Sequence, residues 1–182
     1  MAEGVFRSLC FRTNLIGNVD SAGTGAYHAL DPPDDRTMST LRDHGITDYD
    51  HSARKITKED FKKFDYILAM DKYNLRDLLR LRDSVVAVQS SSGKKGTRAA
   101  TAALSGAGDE EDERSMPQIA EVRLFGDFKP DGTVHTRVGG GEEVQDPYYG
   151  GIHGFEEVYE QVTRFSNGFL AYLEQKRGDS EQ

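Results

Sequence analysis

The chain has 182 residues, of which 36 % are apolar and 30 % charged, with a formal net charge of -8. That suits one soluble domain with its own core and argues against nucleic-acid binding, which needs a basic face. No apolar run approaches the ~20 residues of a membrane span, so no membrane span is expected. Met1-Ala2-Glu3-Gly4-Val5-Phe6-Arg7 places an acid before its first base and is not expected to be a secretory signal. A single cysteine, Cys10, excludes an internal disulfide and points to a reducing, cytoplasmic compartment. With scattered histidines, it also argues against a structural zinc site.

In chain order, Cys10 shares a helical face with Phe6 and reads as a small core residue. Asn18-Val19-Asp20-Ser21-Ala22-Gly23 reads as a short strand ending in a glycine turn. Asp34 or Asp35 caps a helix through Met38 and Leu41 that stops at Gly45. Thr57-Lys58-Glu59-Asp60 resembles a capping box before a short helix with Phe61 and Phe64. Asp65-Tyr66-Ile67-Leu68-Ala69-Met70 has the near-continuous apolarity of a strand buried on both faces. Asp71 caps the next helix, on which Leu75, Leu78 and Leu79 share a face.

Residues 89–118 break the pattern. They run from Ser-Gly-Lys to Asp-Glu with almost no apolar anchor, and they read as a disordered surface insertion. The functional alternative is a docking or phosphorylation segment. Glu121-Val122-Arg123-Leu124-Phe125-Gly126 is a second strand. The last helix spans about Gly154 to Leu173, with Phe155, Val158, Tyr159, Val162, Phe165, Phe169 and Leu173 as its apolar stripe. A polar, frayed tail follows over 176–182. The whole reads as one domain over 1–182. Strands alternating with helices argue for an α/β fold with a parallel sheet, whose ligands bind at the C-terminal strand ends. The turns after Ser21, Met70 and Phe125 are where chemistry is expected.

Read on its residues alone, Asp146-Pro147-Tyr148-Tyr149-Gly150-Gly151 is a solvated turn whose tyrosines pack on the last helix. Its functional reading is a carboxylate held out of the loop by the following proline, between flat aromatic walls. Ser21 and His51, taken singly, read as a turn residue and a polar loop residue.

Together these segments resemble the low-molecular-weight protein tyrosine phosphatase family. The resemblance rests on Met1–Arg7, Val19-Asp20-Ser21-Ala22-Gly23-Thr24, Pro32-Pro33-Asp34, His51-Ser52-Ala53-Arg54, Ile56–Phe61, Phe64–Asp71, Asn74–Leu78 and Asp146–Gly150, in that order and spacing. It implies a three-layer α/β fold whose parallel sheet has the strand order 2-1-3-4, flanked by helices. It implies hydrolysis of phosphotyrosine proteins and small aryl phosphates through a cysteinyl phosphate, without metal or cofactor. Asp146 would be the general acid and base. Ser21 and His51, and Asp71 with them, would support the phosphate loop. Tyr27, Tyr148 and Tyr149 would wall the pocket, and Tyr148 or Tyr149 would be a site of regulatory phosphorylation.

The resemblance departs at the start. The family's first strand and its Cys-x5-Arg phosphate loop precede the Met-Ala-Glu-Gly-Val-Phe-Arg segment, which here begins the chain. Counting from Cys10, the loop arginine would fall at Ile16. The expectation is an N-terminally truncated phosphatase, marginally stable without its first strand and without turnover for lack of a nucleophile. The alternatives are a pseudophosphatase or regulatory isoform and an arsenate-reductase-like protein. The last needs further cysteines.

Overall fold

The computed structural model describes residues 1–11, 13–25, 30–93, 118–149 and 153–180, with backbone alone at 89–93, 149 and 180. The elements are α1 (Ala2–Cys10), α2 (Asp35–Asp43), α3 (Asp60–Lys63), β1 (Tyr66–Ala69), α4 (Lys72–Gly93), β2 (Glu121–Leu124) and α5 (Gly154–Ser180), with a 3-10 turn at Pro147–Tyr149. β1 and β2 pair in parallel, Tyr66 opposite Glu121 and Ala69 opposite Leu124.

Alternation along β1 sorts the chain into three layers. Tyr66 and Leu68 face a core built by Val5, Phe6 and Cys10 of α1, Leu41 of α2, and Val158, Val162, Phe165 and Phe169 of α5. Ile67 and Ala69 face the other side, where Phe61, Leu75, Leu78 and Val85 pack with Val122 and Leu124 of β2. The architecture is the expected α/β sandwich of a parallel sheet between helices.

Two strand expectations differ from what is seen. Residues 18–22 are not a strand. Gly23 makes a single parallel bridge to Lys55, with Gly23 N–H donating to Arg54 O and Ile56 N–H to Gly23 O, both at 2.9 Å. An extended segment becomes a strand only beside a ladder neighbour, and none flanks 18–22 among the described residues. β1 is half-buried over Tyr66–Leu68 rather than buried on both faces, because among the described residues β2 is the one strand that borders it.

The helix boundaries follow local chemistry. Asp34 caps α2 by accepting from Arg36 N–H at 2.8 Å, and the chain leaves the helix through Gly45 at φ 77°. Asp60 accepts from both the N–H and the hydroxyl of Thr57 at the start of α3. Asp71 accepts from Asn74 N–H at the start of α4. α4 reaches Gly93, into the segment whose composition suggests an insertion; residues 94–117 lie outside the described residues. α5 continues to Ser180, through most of the polar tail expected to fray.

The segment after β2 is fastened to it by close backbone contact. Gly126 and Glu142 form an antiparallel bridge, and a Cβ on Gly126 would overlap the Glu142 carbonyl. A Cβ on Gly141 would likewise overlap the Gly126 carbonyl. Only residues without a side chain allow the two backbones to meet there.

Candidate functional site

Ser21 and His51, far apart in sequence, are brought together. Ser21 Oγ lies 3.3 Å from His51 Nε2. Both also meet a residue that sequence reasoning did not single out, Glu3 on the inner face of α1. Ser21 Oγ donates to Glu3 Oε2 at 2.6 Å, His51 Nδ1 stands 3.1 Å from the same oxygen, and Tyr49 Oη donates to it at 3.3 Å. Glu3 is buried, and the sequence carries no local signal of its role beyond its i,i+4 spacing to Arg7. Burial and the neighbouring Glu3 carboxylate raise the Tyr49 phenol well above its ordinary range.

Asp20 flanks this cluster, so that ligand atoms of Glu3, Asp20 and His51 all lie within 4.8 Å of one another. These residues could hold a cation. Each is already engaged, however: Asp20 by Arg54 at 2.8 Å, and Glu3 by Ser21, Tyr49 and His51. The cluster is a closed hydrogen-bond network linking α1 to the Ser21 turn and the His51 loop.

Asp71 sits at the C-terminal end of β1. Its carboxylate accepts from Asn74 N–H and Nδ2, and Asn74 Oδ1 accepts from Thr24 Oγ1 at 3.2 Å. Asp71 therefore reaches the Ser21–Thr24 turn through Asn74; no hydrogen bond joins it to Ser21 or His51 in the described residues.

Asp146 is exposed and accepts from Tyr148 N–H at 2.9 Å, a tight turn that fits the proline between them. It stands at the end of a segment tied to the strand ends: Val144 N–H donates to Met70 O at 2.7 Å, just past β1. Tyr148 is exposed, and the Arg36 guanidinium lies 5.1 Å from its ring centre and 4.6 Å from that of Phe155. No hydrogen bond joins Asp146 to Ser21, His51 or Asp71 in the described residues. Tyr27 and the Tyr149 side chain lie outside them.

Cys10 is buried at the end of α1, and burial pushes its thiol up to about 11. Reactive cysteines sit where positive charge or helix N-termini lower that value; Cys10 has the opposite environment.

Asp127 was not anticipated either. It is fully buried, and its carboxylate accepts three backbone N–H groups, from Leu124 at 3.2 Å and from Gly139 and Gly141 at 2.8 Å. The signal that could have found it is an aspartate just after a strand, facing a run of three glycines that carry no side chain to shield their amides.

A parallel sheet between helices, with the Asp146 loop tied to its C-terminal edge, is an α/β architecture of the kind that binds ligands at its strand ends. The chain belongs to the family described as low molecular weight phosphotyrosine protein phosphatase, whose profile matches residues 1–102. It is 36 % identical to the low molecular weight phosphotyrosine protein phosphatase of Schizosaccharomyces pombe over 173 residues, which is 93 % of this chain and 85 % of the relative. The Homo sapiens protein of the same name is also 36 % identical, over 93 % of this chain and 84 % of its own length. Among solved structures, a protein tyrosine phosphatase from Entamoeba histolytica superposes with a TM-score of 0.63 over 97 % of this chain and 88 % of that one, at 24 % identity, a likeness of fold. DARP, the drosophila arginine phosphatase, superposes with a TM-score of 0.61 over 94 % and 87 % at 25 % identity. No described helix is long and apolar enough to cross a membrane.

Proposed function

We propose that this chain carries the general-acid half of a phosphotyrosine phosphatase and that Asp146 is its proton donor. What supports the role is place: an exposed carboxylate, two residues beyond Val144, whose N–H is bonded to the carbonyl at the C-terminal end of β1. In the reaction a thiolate attacks phosphorus, the P–S bond forms and the P–O bond breaks. Asp146 passes its proton to the departing phenolate oxygen. Asp146 then takes a proton from water, whose oxygen attacks phosphorus and releases phosphate and the thiolate. No metal or organic cofactor enters either step. Ser21, His51 and Glu3 form the platform that supports the phosphate-binding loop, with Asp71 behind it through Asn74 and Thr24. The substrate is an aryl phosphate, phosphotyrosine in a protein, because Tyr148 offers a flat exposed wall beside the acid. Tyr148 or Tyr149 is a site of regulatory phosphorylation in this reading, and the protein works in the cytoplasm.

The thiolate does not come from these 182 residues. Their one cysteine is Cys10, buried in α1 with a raised thiol, which supports the expectation that these residues alone turn over no substrate. Incubation with phosphotyrosyl, phosphoarginyl and p-nitrophenyl phosphate substrates tests the reading. Expected is no release of phosphate by the chain alone. When a Cys-x5-Arg loop is joined ahead of Met1, phosphotyrosine should be preferred over phosphoarginine. A preference for phosphoarginine would overturn the substrate class.

A further inference from the structure

Residues 142–145, immediately before Asp146, are each held by a tertiary contact. Glu142 pairs with Arg164 at 2.9 Å, the Glu143 carboxylate accepts from Lys72 N–H at 3.0 Å, and Val144 N–H bonds to Met70 O. One side chain closes the set. Gln161 on α5 accepts from Gln145 N–H through Oε1 at 3.1 Å, and donates through Nε2 to Glu143 O at 3.0 Å and to Glu142 Oε1 at 2.5 Å. Gln161 is buried, and Val158, Val162 and Phe165 beside it on α5 are core residues, so its position is set by the packing of the helix. A terminal amide is also the group that can accept from one backbone site and donate to two others at once.

We propose that Gln161 is the positioning residue of the general-acid loop: its amide locks Glu142, Glu143 and Gln145 to α5 and so fixes the carboxylate of Asp146. The inference rests on the general-acid reading of Asp146. It assigns Gln161 no contact with substrate. Its place in catalysis is through geometry, where a displacement on the order of 1 Å costs about 10²-fold.

The test uses the 182-residue chain. Amide hydrogen exchange and the 13C shift of the Asp146 carboxyl are followed in Gln161→Leu and Gln161→Glu. Gln161→Leu keeps the volume and removes donor and acceptor. It should raise exchange at Gln145 about tenfold or more and move the Asp146 shift, with β1 and β2 amides unchanged. Gln161→Glu should rescue both readouts at acidic pH, where a protonated carboxyl still accepts and donates. At neutral pH its charge faces Glu142 and the Glu143 carbonyl, with Glu157, Glu160 and Arg164 lining the same cleft, and the rescue should be lost. Wild-type protection of Gln145, measured against intrinsic exchange at each pH, should show no such loss at neutral pH. Unchanged Gln145 exchange in Gln161→Leu, a rise spread equally over β1 and β2, or a Glu variant without acid rescue would each overturn the clamp. None of these readouts depends on turnover, so they separate failure of the clamp from failure of Asp146 as the acid.

Discussion

Arg54 and Asp60 meet through two parallel hydrogen bonds, Nη1 to Oδ2 at 2.9 Å and Nη2 to Oδ1 at 3.1 Å, while Arg54 Nε reaches Asp20 at 3.0 Å. One guanidinium thus ties the start of α3 to the residue before Ser21. Burial alone would push the Asp60 carboxyl up; the bonds from Arg54 and Thr57 outweigh it and hold it below its ordinary value. Arg54→Ala should cost about 2–3 kcal/mol in urea unfolding, short of the ~3–5 kcal/mol of a fully buried pair because Arg54 is partly exposed. Because the folded value is depressed, this stability is complete above the unfolded carboxyl value of ~3.9 and lost as pH falls through the native value. Arg54→Ala should flatten that acid limb. An unchanged limb would show that the pair contributes nothing.

Asp34 gives a second, more local acid limb. The side-chain hydrogen bonds from Arg36 are the main cause that holds its carboxyl at about 2, with the α2 N–H bond adding to them. Asp34→Ala should cost about 1 kcal/mol at neutral pH, the usual worth of such a cap. The difference from wild type should shrink as pH drops from ~4 toward 2, where the native carboxyl takes up its proton. A difference that persists unchanged at pH 2 would place the effect elsewhere.

With its thiol raised to about 11, Cys10 holds on the order of one thiolate in a thousand at pH 8. Iodoacetamide should label the native chain about two orders of magnitude more slowly than the urea-unfolded chain, whose thiol has its ordinary value of ~8.5. Equal rates would make Cys10 an accessible nucleophile and reopen its role.

Asp127→Ala should be severely destabilising. It strands the N–H groups of Leu124, Gly139 and Gly141 in a buried setting, at ~1–3 kcal/mol each. Asp127→Asn, which keeps one acceptor oxygen, should recover part of the loss. Chemical denaturation of the two variants decides it; a loss under ~1 kcal/mol for Asp127→Ala would mean that water reaches these amides.

What could be read in the sequence was local. The Asp34 and Asp71 caps, the Thr57–Asp60 contact and the α5 stripe each involve residues within a turn or two of one another. The strand expected at 18–23 depended on a neighbour that no residue in it specifies, and it forms one bridge instead. Ser21 and His51 were legible as a pair through the family resemblance, and they do meet. Glu3, their shared partner, was not, because a helical glutamate four residues from an arginine reads as a surface ion pair. Asp127 and Gln161 were missed because most of their partners are backbone groups more than ten residues away, and the glycine run at 139–141 is the one trace those groups leave in the sequence.

The most direct measurement is p-nitrophenyl phosphate hydrolysis by the 182-residue chain, alone and with a strand and Cys-x5-Arg loop joined ahead of Met1. Expected is no turnover by the chain alone and turnover by the joined protein. In the joined protein, Asp146→Ala should lower turnover of poor leaving groups by roughly 10²–10⁴ and spare esters of acidic phenols. Hydrolysis by the chain alone above its own Asp146→Ala control, or equal loss across all leaving groups in the joined protein, would contradict it.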